Sequence, residues 1–356
     1  MNGYPGYAYL FIKLMKSTLS LQHDVSLRSF NTFGIDANAL AFLEVRSVDD
    51  LFQVFENKEL MSMPRLVIGG GSNLLLTDHF RGLVLHMSMK GISVDAEGDD
   101  VVYVRAAAGE KWHDLVSWTL EKGFGGLENL SWIPGTVGAA PVQNIGAYGS
   151  ELKDCFYSLK AFDFNEGTIV ELGKPDCRFA YRHSIFKTDL KDRFVILEVV
   201  FTLPKAWRPN IAYAEVKKEL AARKMTTPHP SEISQVIIDI RERKLPNPNV
   251  TGNAGSFFKN PTVGKEKLME LKKEYPDMPS YEQPDGHYRL AAGWLIDQCG
   301  WKGKQYGNAG VCETQALVLV NRGNASGREI VALSEAIKKD VFSKFGVRLE
   351  PEPVFV

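Results

Sequence analysis

Residues 133–149 read IPGTVGAAPVQNIGAYG, in which four glycines and two prolines interleave with small, mostly apolar side chains. Small side chains let a backbone pack directly against a large flat ligand, because glycine has no Cβ to block the approach. We therefore expect this stretch to line a binding site, with Gln143 and Asn144 as the polar groups that read the ligand.

A second glycine-rich stretch, GGGSN at residues 69–73, lies between the strand-like runs LVI and LLL. Consecutive glycines let several N–H groups point at one anion, an arrangement that suits a pyrophosphate. A hairpin turn explains three glycines about as well. Neither stretch fits the dinucleotide fingerprint G-x-G-x-x-G or the P-loop, so those nucleotide-binding folds are disfavoured.

The length and composition of the chain exclude several classes of protein. A chain of 356 residues, 44% hydrophobic, can bury full cores without disulfides and predicts two or three domains. Its 42 basic and 43 acidic residues nearly cancel, so the protein has no overall electrostatic attraction to nucleic acid or to an anionic membrane. Four cysteines without a C-x-x-C pair, and scattered histidines, argue against a metal site and for a reducing compartment. We expect a cytoplasmic protein without a membrane span.

Hydrophobic periodicity predicts a mixed α+β chain. A hairpin is indicated at residues 92–104, and a strand at 316–321. Helical spacing predicts helices at residues 49–55, 112–122, 231–244, 265–275 and 291–298. An apolar stripe at helical spacing from Ile330 to Phe345, closed by Gly346, indicates core packing. The turn-forming run PNPN at 246–249 marks a domain boundary.

Three further segments carry groups that could do chemistry. Arg182 lies in YRHSIFK at residues 181–187, and its guanidinium fork suits a carboxylate, although most lone arginines form surface ion pairs. Ser256 follows a tight glycine turn, but this is not a G-x-S-x-G elbow, so a hydrolase nucleophile is disfavoured and the serine could simply cap the turn. In LEPEP at 349–353, either one of Glu350 and Glu352 is buried and functional or both are solvated.

Together these segments resemble the UDP-N-acetylenolpyruvoylglucosamine reductase family, in order along nearly the whole chain after Met15. The stretches that carry the resemblance are NTFG at 31–34, GGGSNL at 69–74, IPG at 133–135, QNIGAYG at 143–149, YR at 181–182, GNAGSFFKNP at 252–261, AAGWLID at 291–297 and LEPE at 349–352. Residues 207–213, WRPNIAY, match the insertion of the longer type I form. His183 stands where the family pattern has aspartate.

The resemblance implies an α+β chain with the two-lobed FAD-binding fold of the vanillyl-alcohol-oxidase type, plus a third α+β substrate-binding domain. The expected divisions are an N-terminal extension that is not necessarily native at 1–16, FAD-binding lobe 1 at 17–90, lobe 2 with the tyrosine-loop insertion at 91–245, the substrate-binding domain at 246–346, and a C-terminal strand returning the catalytic glutamate to the flavin at 347–356.

The resemblance also implies roles for individual residues. The catalytic positions are occupied by Arg182, Ser256 and Glu352. Positions expected to contact substrate hold Tyr213, Lys244, Asn260 and Gln315, with Tyr213 as the tyrosine that closes over the substrate. The FAD contacts are expected at Gly69, Gly70, Gly71, Ser72, Asn73, Leu74, Pro134, Gly135, Gly138, Ala139, Asn144, Gly146, Ala147 and Tyr148.

The implied reaction reduces UDP-N-acetylglucosamine enolpyruvate to UDP-N-acetylmuramate, a peptidoglycan precursor, with NADPH as the reductant and non-covalent FAD as the carrier. Hydride would pass from flavin N5 to C3 of the substrate and a proton from Ser256 to C2, while Arg182 and Glu352 stabilise the intermediate. A monomer is expected. Two rival interpretations are a non-catalytic flavin or sugar-nucleotide binding protein, and an FAD oxidase of the same fold that acts on another hydroxylated substrate.

Overall fold

The computed structural model describes residues 19–356, so the expected extension at 1–16 lies outside the described residues. The described chain is α+β, as the sequence predicts. No helix in this part of the chain is long and apolar enough to cross a membrane. The same residues contain no group of three or more His, Cys, Asp or Glu side chains placed to hold a metal ion.

The first sheet has the strand order β1-β2-β5-β3, with β1 antiparallel to β2 and β5 parallel to both β2 and β3. Its elements are β1 (Gln22–Ser26), β2 (Asn38–Val45), α1 (Val48–Glu56), α2 (Lys58–Ser62), β3 (Arg65–Ile68), β4 (Leu74–Leu75) and β5 (Phe80–Met87). Strand β3 ends at the glycines of residues 69–71, which lead directly into β4 outside this sheet. The glycine loop therefore follows the edge strand of this sheet.

The second sheet is fully antiparallel, with the order β11-β10-β12-β7-β6. Its elements, and the short ones that follow it, are β6 (Ile92–Glu97), β7 (Val101–Ala107), α3 (Trp112–Glu121), β8 (Gly146–Ala147), β9 (Ser150–Glu151), α4 (Leu152–Cys155), β10 (Phe156–Asp163), β11 (Thr168–Gly173), α5 (Lys174–Cys177), β12 (Phe194–Pro204), α6 (Ala214–Ala222) and α7 (Pro230–Lys244). The predicted hairpin is confirmed, because Ile92 pairs with Ala106.

The remaining part of the chain forms a four-stranded sheet, β13-β19-β18-β17, and a three-stranded one, β14-β16-β15. Its elements are β13 (Gly252–Ser256), β14 (Thr262–Val263), α8 (Lys265–Glu274), β15 (Ser280–Glu282), β16 (Tyr288–Leu290), α9 (Ala292–Gln298), β17 (Gln305–Tyr306), β18 (Ala309–Val311), β19 (Val318–Asn321), α10 (Gly327–Phe345) and β20 (Val354–Phe355). The five helices predicted by periodicity agree with the structure to within one residue at each end.

Helix α10 shows how the local sequence sets its ends. The Ser326 hydroxyl accepts the Glu329 N–H, while the Glu329 carboxylate accepts the Ser326 N–H, so both groups cap the N-terminus. Gly346 ends the helix in the left-handed region, at φ 65°. The apolar stripe between them is buried, including Ile330, Leu333 and Ile337, as the sequence predicts.

The C-terminal segment returns across the molecule to the first glycine loop. Val354 in β20 pairs with Leu74 in β4, in parallel, next to the loop at residues 69–73. One continuous apolar core joins the first sheet to the C-terminal part, with the rings of Phe33 and Phe257 6.2 Å apart. These contacts fix the position of the last residues of the chain relative to the glycine loop.

Candidate active site

The two glycine-rich stretches face each other across a cleft of about 380 Å³. The Ser72 hydroxyl donates to the Pro134 carbonyl at 3.1 Å, which ties one stretch to the other. A Cβ on Gly70 would lie 3.0 Å from the Gly135 Cα, and one on Gly69 would lie 2.0 Å from the Thr136 Oγ1. The backbones therefore approach so closely because the side chains are missing.

The cleft has the groups that an FAD would need. Within residues 19–356, the N–H groups of residues 70–73 donate no backbone hydrogen bond, so they are available to an anion such as a pyrophosphate. The buried Thr136 Oγ1 also has no partner. Most of the surface that lines the cleft is apolar, which suits a flat aromatic ring system. The volume of the cleft lies in the range of ligand pockets. The residues present fit the cofactor.

Most of the predicted FAD contacts line this cleft. Those that do are Gly69, Gly70, Gly71, Ser72, Asn73, Leu74, Pro134, Gly135, Gly138 and Ala139. Asn144, Gly146, Ala147 and Tyr148 lie beside it without lining it.

Asn144 is fully buried, and its side chain is bonded within the protein. Its amide donates to the Glu151 carboxylate and the Ala180 carbonyl, and its oxygen accepts the Lys153 N–H, at 3.0–3.1 Å. The Asn144 side chain thus stabilises the loop through hydrogen bonds within the protein, while its neighbour Gln143 lines the cleft.

Arg182 and Glu352 meet at one end of this region. Arg182 Nε donates to Glu352 Oε1 at 2.9 Å, and its Nη2 donates to the Gly146 carbonyl at 3.0 Å. Asn73 links the pair to the cleft, because its amide donates to the Glu352 carbonyl at 3.3 Å and to Gln143 Oε1 at 2.6 Å. The predicted catalytic Arg and Glu are therefore brought together beside the cleft.

Arg182 is held in a strained turn. The backbones of Ala180 and His183 exchange two hydrogen bonds of 3.0 and 3.1 Å, which leaves only Tyr181 and Arg182 to make the reversal. Arg182 adopts φ 53°, a left-handed conformation that non-glycine residues rarely adopt. Such conformations persist only where the surroundings impose them, and they concentrate at functional sites.

Burial and neighbouring charges shape the electrostatics here. Burial disfavours the Arg182 charge, but Glu352, Tyr181 and Glu151 together outweigh it, and the pKa of Arg182 is raised. Lys187, which lines the cleft, behaves oppositely, because burial and then the charge of Lys259 lower its pKa. The site therefore keeps a fixed cation on Glu352 and a more easily deprotonated ammonium nearby.

Ser256 lies next to this pair along β13. The Glu352 N–H donates to the carbonyl of Phe257, the residue after Ser256, at 2.8 Å. Phe258 and Pro351 form an antiparallel bridge, so the last segment runs alongside residues 257–259. Within residues 19–356 the Ser256 hydroxyl makes no hydrogen bond, which leaves it available to a ligand.

The four predicted substrate contacts come from separate elements. Tyr213, at the start of α6, is 45% exposed, and its ring meets the Tyr148 ring edge-on at 5.3 Å. Lys244, at the end of α7, lies 2.5 Å from Glu215. Asn260 Oδ1 accepts the N–H of Ala292 at the start of α9, and Gln315 Oε1 accepts the Leu317 N–H at 3.3 Å.

The segment that carries Tyr213 is tied to the second glycine-rich stretch. The Trp207 indole donates to the Glu128 carboxylate at 2.8 Å. Asn210 donates to the Gly149 carbonyl and the Ser150 hydroxyl, and its own carbonyl accepts the Asn129 amide, at 2.9–3.0 Å. Burial is the main reason why the pKa of Tyr148 rises to about 12 and the pKa of Tyr213 also rises, so both phenols stay protonated.

The structure adds residues that the sequence did not single out. Thr136 and Lys187 line the cleft, and both lie inside stretches already quoted. Arg241 on α7 donates to the Trp132 carbonyl at 3.0 Å, and burial lowers its pKa. Its signal was weak, since it is one of three basic residues in the last turn of a helix.

Comparison with known proteins agrees with this geometry. Residues 39–173 match an FAD binding domain, and residues 247–356 match the UDP-N-acetylenolpyruvoylglucosamine reductase C-terminal domain. These matches confirm the predicted FAD-binding fold and cofactor.

The chain is also similar to whole proteins. It is 52% identical over 330 residues to the UDP-N-acetylenolpyruvoylglucosamine reductase of Paraburkholderia xenovorans strain LB400, which covers 92% of this chain and 95% of that protein. It is 50% identical over 340 residues to that of Burkholderia mallei strain NCTC 10229, covering 95% and 98%. Its fold matches the reductase crystal structure from Thermus caldophilus, with TM-score 0.66, 22% identity, and 95% and 99% coverage. The chain therefore belongs to the UDP-N-acetylenolpyruvoylglucosamine reductase family of FAD-dependent oxidoreductases.

Proposed function

We propose that this chain uses NADPH to reduce UDP-N-acetylglucosamine enolpyruvate to UDP-N-acetylmuramate, a step of peptidoglycan precursor synthesis. The observation that carries the proposal is the Arg182–Glu352 pair, which lies beside Ser256 and is joined to the glycine cleft through Asn73. A binding protein would need the cleft but would not need this pair. Family membership at 52% identity over 92% of the chain supports the same activity.

When bound, FAD supplies the redox chemistry by accepting a hydride from NADPH and delivering it to the substrate. Arg182, together with Glu352 as a protonated or hydrogen-bonding group, then acts on the negative charge that develops on the substrate at C2 and its carboxylate. Because Arg182 is already oriented by Glu352 and by the Gly146 carbonyl, little reorganisation is needed when that charge appears. The pair is thus suited to stabilise the intermediate.

Ser256 is the proposed donor of the proton to C2. Its hydroxyl has no partner within residues 19–356, so it can point at a ligand, and its strand places it beside the Glu352 backbone. A serine hydroxyl is a weak acid, and it therefore works only against a strongly basic carbanion. Glu352 stabilises the charge rather than donating this proton.

The substrate contacts are proposed for Tyr213, Lys244, Asn260 and Gln315. The Tyr213 hydroxyl has no hydrogen bond among the described residues, and Lys244 offers a positive charge for a diphosphate. The Asn260 side-chain oxygen accepts the Ala292 N–H at the start of α9, so the NH₂ group of the same side chain is left for the ligand. Of these four, Tyr213 is the one suited to cover the substrate, because it is exposed at the end of an anchored segment.

We base the proposed division into lobes on the separate β-sheets. The first sheet supports lobe 1 at 17–90, the second supports lobe 2 at 91–245, and the last two sheets support the substrate domain at 246–346, with 347–356 as the returning strand. FAD is proposed to be held without a covalent bond, because none of the histidines and cysteines among residues 19–356 lines the cleft. We also propose that the protein is a cytoplasmic monomer.

The test uses the purified full chain under anaerobic conditions. We expect a yellow protein whose flavin is released by denaturation and runs apart from the polypeptide on a gel. NADPH oxidation should require the enolpyruvyl sugar nucleotide and should yield UDP-N-acetylmuramate. Flavin reduction without any reoxidation by that substrate would identify a binding protein. Flavin that is reduced by a hydroxylated substrate and rapidly reoxidised once oxygen is admitted would identify an oxidase.

A further inference from the structure

Arg289 lies against the turn that carries Arg182, although the two belong to different parts of the chain. Arg289 is on β16 of the three-stranded sheet, and its guanidinium carbon lies 3.7 Å from the centre of the Tyr181 ring. This is shorter than any other cation–ring distance in residues 19–356, the next being 4.2 Å for Lys304 over Trp301. Arg289 thus contacts the residue that directly precedes Arg182.

Nothing acidic accounts for the position of Arg289. Within residues 19–356 it forms no ion pair, and its Nε is buried without a hydrogen-bond partner. A guanidinium whose Nε is buried without a partner and without a carboxylate is costly, and the face of an aromatic ring is the remaining source of attraction. The Tyr181 ring is therefore the main group that holds the Arg289 guanidinium, and the guanidinium in turn fixes the ring.

The Tyr181 ring matters because the turn is short and strained. Only Tyr181 and Arg182 connect the paired backbones of Ala180 and His183, and Arg182 has φ 53°. A rotation of Tyr181 would therefore be passed directly to the Arg182 backbone. Since Arg182 reaches Glu352 at 2.9 Å, a displacement of about 1 Å would misplace its guanidinium, and such shifts can cost as much as about 10²-fold in rate.

We propose that Arg289 is a positioning residue for the reduction step. It clamps Tyr181 from the substrate domain, which keeps Arg182 directed at Glu352 and at the developing charge. This inference rests on the proposed function. It differs from a direct role in substrate binding, in which Arg289 would contact the ligand itself and its removal would weaken the affinity.

The experiment separates these roles with Arg289→Met, Arg289→Lys, Tyr181→Leu and the double variant. Rapid mixing measures flavin reduction by NADPH and reoxidation by the enolpyruvyl substrate, and flavin absorbance measures the substrate Kd of the oxidised enzyme. Arg289→Met should slow reoxidation about tenfold or more, with flavin reduction and Kd within about twofold of the parent. Arg289→Lys, which keeps a cation over the ring, should recover most of the rate.

The double variant tests whether the effect passes through Tyr181. It should be no slower than Tyr181→Leu alone, because the clamp is already lost. Lys304→Met removes a cation from a ring in the same part of the chain and is the matched control, with unchanged rates expected. Thermal unfolding confirms that each variant is folded.

Three results would overturn the inference: reoxidation at the parent rate in Arg289→Met, multiplied effects in the double variant, or a rise in Kd that accounts for the whole loss. If the parent itself is not reoxidised by the substrate, the proposed function fails instead.

Discussion

Arg182 and Glu352 are 170 positions apart in the chain, yet the guanidinium Nε of one donates to the carboxylate of the other at 2.9 Å. The side chain of Glu352 is 9% exposed and that of Arg182 is 20% exposed. A pair shielded in this way is affected little by salt, and the Glu352 carboxylate helps to raise the pKa of Arg182. The pair thus holds a defined orientation before any ligand arrives.

Replacing Glu352 by glutamine removes the carboxyl group but keeps the size and shape of the side chain. Glu352→Gln keeps an oxygen for the Arg182 Nε, so the fold and flavin reduction by NADPH should be close to the parent. Reoxidation by the substrate should slow by about 10²-fold, because the arrangement at the developing charge is altered. Glu350→Gln is the matched control, since Glu350 is 73% exposed and pairs with Lys259. Equal rates for the two variants in rapid mixing would contradict the assignment.

Gly70→Val should impair flavin binding. Its Cβ would come within 3.0 Å of the Gly135 backbone, which cannot yield as a flexible side chain could. The cause is space alone, because the positive φ belongs to Gly71 (58°) and not to Gly70. The flavin content of the purified variant, measured by absorbance, should fall well below one per chain. Gly264→Val, at a site with nothing within 4 Å of a Cβ, should keep full flavin content. Full occupancy in Gly70→Val would refute the placement of the cofactor.

Tyr213→Phe should act on substrate affinity. The variant keeps the edge-on contact with Tyr148 but loses a hydroxyl that has no partner within the described residues. KM for the sugar nucleotide should rise, while flavin reduction by NADPH stays near the parent rate. Tyr157→Phe removes a hydroxyl from another edge-on tyrosine pair, with Tyr103, and should change neither value. Equal damage to both half-reactions in Tyr213→Phe would indicate a structural role.

Lys244 is already paired with Glu215, so the charge pair should compete with the substrate. Lys244→Met should raise KM for the sugar nucleotide, whereas Glu215→Gln should lower it by about two- to fivefold, the range of an exposed ion pair. Both effects should shrink at high salt. Lys338→Met removes the partner of Glu335 on α10 and serves as the control. An unchanged KM in Lys244→Met would remove this residue from the substrate site.

Local patterns predicted the elements better than the contacts between them. Helical periodicity placed five helices to within one residue at each end, because spacing and caps are properties of short stretches. The sequence could not decide between Glu350 and Glu352, since that choice depends on Lys259 and Arg182, which reach the C-terminal segment from distant parts of the chain.

The candidate site shows the same division. The glycine stretches were visible in the sequence, but that Asn144 is bonded internally while Gln143 lines the cleft depends on which way one turn faces. Arg289 was missed because its partner is an aromatic ring 108 positions away, and no local pattern marks such a contact. Helix α6 (Ala214–Ala222) was also missed, although its alanines, glutamates and lysines favour a helix.

Ser256 gives the sharpest test, because its two interpretations predict different outcomes. If it only caps a turn, Ser256→Ala should reoxidise with substrate as fast as the parent. If it donates the C2 proton, the variant should bind FAD and be reduced by NADPH normally, while reoxidation slows by about 10²–10⁴-fold. Ser256→Cys keeps a transferable proton and should lose less. Rapid mixing of each half-reaction distinguishes the cases, and a parent-like rate in Ser256→Ala would move the proton donor to Glu352 or a bound water.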